Sequence, residues 1–386
     1  MTDGVSRRSF LKTTGPAGLM VGLPEAAMGF QANQSTQQVT VTVAPPEKPK
    51  YSIRFSVIGI DHNHIRGITD ALKRGGGQLV SVYSTNLPAL ADFQQRYPDV
   101  KVAASEDEIL SDPSIQLVAS SGIPDLRAPL GVRVMRHGKD YLSDKPGIIT
   151  LEQLAEVRHA IQDTGRMFAI MYSERLEVKA AVKAGELVKA GAIGHVIQTV
   201  NLAPHQVTNP NERARPDWFW DPARYGGILC DVGSHQADQF VYYTGSTTAE
   251  VVASQVANVN HPDRPKFQDF GDMMLRGNGG FGYVRVDWFT PDGVGVWGDG
   301  RLFILGTEGY IELRKYVDIT GRPGGNHLFL VDKKQATYMD CNQVELPFGP
   351  QFVADIVNRT HVAQNQEQAL LATELVLHAQ KNARVL

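Results

Sequence analysis

The chain has 386 residues, 42% hydrophobic and 20% charged, with 37 glycines; this excludes a disordered, fibrous or coiled-coil protein and leaves room for about two ordinary domains. A formal charge of −3 with both signs dispersed offers no basic stripe for phosphate backbones, which excludes nucleic acid as a partner and points to a small, largely neutral molecule. With only Cys230 and Cys341 present, a disulfide framework is excluded as well.

At the N-terminus, Ser6-Arg7-Arg8-Ser9-Phe10-Leu11-Lys12 matches the twin-arginine export pattern, and a weakly apolar run from Thr13 to Phe30 follows it. Pro16, Gly18, Gly22, Pro24 and Glu25 interrupt that run. It falls short of the roughly 20 continuous apolar residues a spanning helix needs, so no stable membrane anchor is expected. Residues 1–30 therefore read as a signal peptide cleaved near Ala27 to Gly29, with the twin-arginine machinery as a partner and the periplasm or exterior as destination. Residues 31–50, rich in Gln, Thr, Val and Pro, read as a tether.

From Tyr51 to Ile60 the apolar residues Phe55, Val57, Ile58 and Ile60 mark a buried parallel strand, closed by Gly59 where a phosphate loop begins. A helix over Ile65–Leu72, a strand over Gln78–Tyr83, a helix over Pro88–Tyr97, a short strand at Val100–Ala103 and an apolar run at Ile115–Ser120 continue the rhythm. Alternation of this kind predicts an α/β fold with a doubly wound parallel sheet over residues 51–170. A dinucleotide loop places GxGxxG here so that the backbone can approach the diphosphate, but the series reads Gly59, Asp61, His64. Asp61 brings bulk and like charge to the diphosphate position. Beyond the second strand, Ser84-Thr85-Asn86 stand where an acidic residue usually holds the ribose, and no arginine stands beside them for a 2′-phosphate. His62 and His64 form an HxH pair whose rings point to one side of an extended segment, but no third ligand is evident nearby. The pair is read as polar loop residues with His64 capping the turn, and no metal is expected.

Leu117 to Pro146 ends a strand, passes Ile123-Pro124-Asp125, forms a helix over Ala128–His137 and closes with Gly138-Lys139-Asp140-Tyr141-Leu142-Ser143-Asp144-Lys145-Pro146. A second motif runs Tyr225-Gly226-Gly227-Ile228-Leu229-Cys230-Asp231-Val232-Gly233-Ser234-His235-Gln236-Ala237-Asp238. The chain resembles the Gfo/Idh/MocA oxidoreductases, in which Gly-Lys, a short strand and Glu-Lys-Pro close the nucleotide domain, and a glycine turn leads into Asp-x-Gly-x-His-x-x-Asp. Asp144 stands for the Glu. The resemblance implies a Rossmann domain, a C-terminal α+β domain over 171–386 with a large, mostly antiparallel sheet and closing helices over 351–386, and NAD or NADP as cofactor. It also implies that Lys145 reaches the reactive hydroxyl and the nicotinamide ribose, that the Lys145–Pro146 bond is cis, and that copies assemble through the C-terminal sheet. Gly59, Asp61, His62, Asn63, His64, Ser84, Thr85, Ile123, Pro124, Asp144, Lys145 and Pro146 would then contact the cofactor.

Four residues apart, Asp231 and His235 stack on one face of a helix that starts after Gly226-Gly227. An imidazole can take an alcohol proton while hydride leaves, and a carboxylate can stabilise the imidazolium, so Lys145, Asp231 and His235 are the expected catalytic set. Further strands are expected over Val196–Ala203, Ala249–Asn258, Asp269–Leu275, Gly280–Trp288 and Arg301–Leu313, with a hairpin turn at Gly306-Thr307-Glu308-Gly309. Tyr172, Arg175, His205, Trp218 and Trp220 are candidate substrate contacts, with Glu174, Arg213, Arg215 and Phe219 close to them in sequence. The expected function is oxidation of a secondary hydroxyl of a sugar, glycoside or cyclitol. Two alternatives are a redox-assisted glycoside lyase or hydrolase with a retained nicotinamide, and a carbohydrate-binding relic that lost its cofactor.

Overall fold

The computed structural model describes residues 36–41, 48–207 and 215–386; the signal peptide expected over 1–30 and Arg213 lie outside them. Among the described residues the first element is β1 (Gln37–Thr40), which lies within the stretch expected as a tether. It is an edge strand paired with β15, and its one apolar residue, Val39, packs on the hydrophobic cluster of the large sheet.

Residues 53–171 alternate as β2 (Ile53–Ile58), α1 (Ile65–Arg74), β3 (Gly77–Tyr83), α2 (Leu87–Arg96), β4 (Lys101–Val102), α3 (Glu106–Ser111), β5 (Leu117–Ser120), α4 (Pro124–Arg136), β6 (Asp140–Asp144), α5 (Leu151–Thr164) and β7 (Phe168–Met171). The strands form one parallel sheet in the order β4-β3-β2-β5-β6-β7. Every residue of β5, β6 and β7 is buried, which explains their continuous rather than alternating character. Asn86, Ser105 and Thr150 start α2, α3 and α5 by accepting from the backbone N–H three residues on. Strand order reverses between β2 and β5, and in such sheets ligands enter the crevice at the carboxyl ends of those strands.

The rest of the chain gives α6 (Ser173–Leu176), α7 (Lys179–Lys189), β8 (Val196–Pro204), α8 (Pro222–Tyr225), α9 (Ile228–Asp231), α10 (Gly233–Thr244), β9 (Ala249–Ala257), β10 (Phe270–Gly277), β11 (Gly280–Asp287), β12 (Arg301–Gly306), β13 (Gly309–Arg314), β14 (His327–Asp332), β15 (Ala336–Asp340), α11 (Phe348–Asn358), α12 (Gln366–Asn382) and β16 (Arg384–Val385). A ten-stranded sheet runs β1-β15-β14-β13-β12-β8-β11-β10-β9-β16, antiparallel except for the β1/β15, β8/β11 and β9/β16 pairs. The run over Arg301–Leu313 is the β12/β13 hairpin, turning at the expected Gly306-Thr307-Glu308-Gly309. α10 lies on β8 and β11, while α12 packs on α9, α10 and β9, and α11 returns to α1. This packing sets the α9–α10 junction against the carboxyl ends of the parallel strands. No helix among the described residues is long and apolar enough to cross a membrane.

Candidate active site

The loop leaving β2 is shaped by Gly59, whose φ of +78° suits glycine and where a Cβ would stand 3.0 Å from Gly122 Cα. Gly59, Asp61, Ser84, Thr85, Ile123 and Arg127 line a cavity of about 460 Å³ over the strand ends. His62, Asn63, His64, Pro124 and Lys145 line a second cavity, of about 290 Å³, together with Asp231 and His235, and Arg127 belongs to both walls. Asp61, in the wall of the first cavity, accepts a hydrogen bond from Asn86 Nδ2 at 3.2 Å and sets Oδ2 3.8 Å from the place a Gly122 Cβ would occupy. Asp144 and Pro146 are buried beneath the wall.

Lys145 and Asp231, 86 positions apart, meet in an ion pair with Nζ 2.8 Å from Oδ1, and the Lys145–Pro146 bond is cis as expected. Gly226 and Gly227, both at positive φ, turn the chain into α9, whose first amides are taken by Gln268 Oε1 (3.0 Å, Ile228) and Gln380 Oε1 (3.1 Å, Leu229). A one-residue turn at Val232, itself helical in φ and ψ, separates α9 from α10; Asp231 and His235 both line the cavity, and Asp231 pairs with Lys145. His235 is 3% exposed, lines the second cavity, and its Nδ1 meets no hydrogen-bond partner. Burial pushes its pKa well below the ordinary value; Glu174 opposes that shift and Lys145 adds to it. The imidazole is therefore neutral and able to accept a proton.

Glu174 is a further carboxylate at this cavity. Its Oε2 accepts from Lys315 Nζ at 2.7 Å and Gln236 Nε2 at 3.0 Å, and its Oε1 is buried without a partner. Burial pushes this acid up, but Lys315, His235 and His205 outweigh it and hold it well below the usual carboxylate range. Sequence reading could not pair Glu174 with Lys315, 141 positions away. Arg127 was likewise missed: its guanidinium donates to the carbonyls of Gly122 (2.7 Å), Lys145 (2.5 Å) and Pro146 (3.2 Å) and lies 3.2 Å from Asp144 Oδ2. A single cation on a helix face otherwise made of Ala128, Leu130 and Val134 was the available signal.

Among the substrate candidates, His205 and Trp218 line the cavity, and Trp288 and Trp297 add rings 5.5 and 4.7 Å from His205 that the sequence did not single out. Burial lowers His205 to about 4 despite the nearby Glu174. Three expectations are corrected. Tyr172 is 1% exposed and its hydroxyl bonds Thr373 Oγ1 at 2.9 Å, because it packs inward against α12. Arg175 forks onto Asp238 at 2.6 and 3.0 Å under the Tyr242 ring. Trp220 packs on Phe219 and Phe267 beneath Arg264. His64 occupies the N-cap of α1 without a side-chain capping bond, and a third potential metal ligand beside His62 and His64, absent from the local sequence, is supplied by Asp144.

Residues 53–172 match a family model of NAD-binding Rossmann oxidoreductases, and residues 181–312 match the GFO/IDH/MocA C-terminal domain. A solved structure from Erwinia carotovora atroseptica, assigned as an oxidoreductase, is 47% identical, with a TM-score of 0.83 over 86% of this chain and 99% of that one. A 3-ketoreductase from Actinomadura kijaniata, solved with NADP, shares the fold at 16% identity and a TM-score of 0.69, over 87% and 99% of the two chains. The 1,5-anhydro-D-fructose reductase of Ensifer adhaerens is 27% identical over 52% of this chain and 59% of its own length. Alignments to the first curated relatives span between 43% and 59% of those proteins. With both characteristic domains matched in order, the chain belongs to the Gfo/Idh/MocA family of oxidoreductases.

Proposed function

We propose that the protein is an exported NAD(P)-dependent oxidoreductase acting on a secondary hydroxyl of a sugar, glycoside or cyclitol. The observation that carries this reading is the meeting of Lys145, Asp231 and His235 at one cavity, which shares Arg127 with the cavity over the parallel-strand ends. A bound nicotinamide supplies the hydride acceptor or donor. Lys145, held by Asp231, donates to the substrate oxygen and favours the negative charge that develops on it. His235 takes the hydroxyl proton, and Glu174 stabilises the resulting imidazolium through the field that already opposes His235's lowered pKa. Trp218, Trp288 and Trp297 present flat apolar faces that suit a sugar ring. Incubation with either oxidised dinucleotide and a panel of pyranosides and cyclitols tests the reaction: absorbance of the reduced nicotinamide rises with at least one of them, and its failure to rise with all removes the dehydrogenase reading.

Asp61 is the costly element of the proposed cofactor site. Asp61→Gly is expected to tighten NAD(P) binding in calorimetry by about tenfold, about 1.4 kcal/mol, because bulk and like charge leave the diphosphate path. Unchanged or weaker binding would assign Asp61 to a different ligand. Export rests on Arg7 and Arg8, which lie outside the described residues. Changing both to Lys is expected to retain the protein in the cytoplasm, and an unchanged periplasmic yield contradicts that address.

A further inference from the structure

At the position of the phosphate loop the chain carries two imidazoles, and both face one buried carboxylate from β6. His64 Nδ1 lies 3.0 Å from Asp144 Oδ1, and His62 Nδ1 lies 3.5 Å from Asp144 Oδ2. Ligand-capable atoms of the three residues lie within 4.8 Å of one another. Around a tetrahedral ion with metal–ligand bonds of 2.0–2.1 Å, neighbouring ligand atoms stand about 3.3 Å apart. The His64–Asp144 Oδ1 separation of 3.0 Å is close to that value, and a set of one atom from each of the three residues lies within 4.8 Å, so sharing one ion asks the wider members to draw in by up to about 1.5 Å.

We propose that His62, His64 and Asp144 bind a single divalent transition-metal ion of the Zn²⁺ class, with its open side toward the cavity lined by Lys145 and His235. Asp144 shares a hydrogen bond with His64 Nδ1 and is held as well by donors other than the imidazoles. Its Oδ1 accepts from the Lys145 backbone N–H at 2.8 Å, and its Oδ2 accepts from the Ser121 hydroxyl at 2.7 Å with Arg127 at 3.2 Å. Contacts of this kind orient a metal-binding carboxylate from behind. The imidazoles come from an HxH segment pinned by the His62 N–H to Ser121 carbonyl bond at 2.9 Å, and their ring centres are 4.1 Å apart. Both histidines reach the cavity, whereas Asp144 is 1% exposed. Arg127 offsets the carboxylate charge, which disfavours Mg²⁺ and Ca²⁺ because those ions rely on several oxygens; two nitrogens favour Zn²⁺, Co²⁺ or Ni²⁺. The helix N-terminus at His64 opposes a cation only weakly beside two metal–nitrogen bonds.

The proposal does not depend on the redox reading, and its test uses no dinucleotide. Folded, untagged, chelator-treated protein is titrated with ZnCl₂ and CoCl₂ by calorimetry, and the cobalt form is read by its visible absorption. One ion per chain is expected. His62→Ala and His64→Ala should each weaken binding at least tenfold, and the double variant should lose it together with the cobalt band. Circular dichroism and thermal unfolding report that these loop variants remain folded. His159→Ala, in the exposed pair His159–Asp163, should bind as the parent does and excludes adventitious surface histidine binding. Absence of saturable one-to-one binding in the parent, or its persistence in the double variant, overturns the proposal.

Discussion

Replacing His235 with alanine is expected to lower turnover by roughly 10²- to 10⁴-fold while leaving dinucleotide affinity within a few-fold. The imidazole is buried at the substrate end of the cavity with an unpartnered Nδ1, so its removal takes away the proton acceptor without touching the crevice at Gly59 and Ile123. Because burial holds His235 well below the ordinary imidazole pKa, the group stays neutral as pH falls through that ordinary value, and turnover should decline only in more acid solution. Glu174→Gln should move that decline to still lower pH, since it removes the charge that opposes the downward shift. Steady-state kinetics across pH read both outcomes, and full activity of His235→Ala would move the base elsewhere, with His205 next in position.

Arg127→Met is expected to destabilise the fold by about 3–5 kcal/mol, measured by urea unfolding. The guanidinium is 1% exposed, neutralises Asp144 and ties the Gly122 carbonyl to those of Lys145 and Pro146. Methionine fills similar volume but leaves a buried carboxylate and three carbonyls short of their donor. The same change should loosen Lys145, so the surviving folded fraction should show a raised KM as well as a lower kcat. A loss below about 1 kcal/mol would mean that the donors left to Asp144, namely the Ser121 hydroxyl, the Lys145 N–H and the imidazoles, compensate it.

The parallel sheet was legible because buried strands are written as apolar runs, Phe55 with Val57 and Ile58, or Leu117 to Ser120, punctuated by turn residues. Lys145, Asp231 and His235 were legible through motifs, since no periodicity relates residues 86 positions apart. What escaped was tertiary. Glu174 meets Lys315 only after α6 and the end of β13 come together, and Trp297 reaches His205 through a loop bridge between His205 and Gly298. Tyr172 was misread because the direction of a residue at a strand end is decided by what packs there, in this case Ala369 and Thr373 of α12.

Calorimetric titration of the folded protein with NAD and with NADP tests the central claim most directly. One dinucleotide per chain is predicted for at least one of the two, with affinity reduced in Lys145→Ala, because the nicotinamide end should lie beside that ammonium at the cavity it shares with His235. Absence of binding by either dinucleotide at millimolar concentration, in the parent and in Asp61→Gly alike, would contradict a nicotinamide-dependent oxidoreductase.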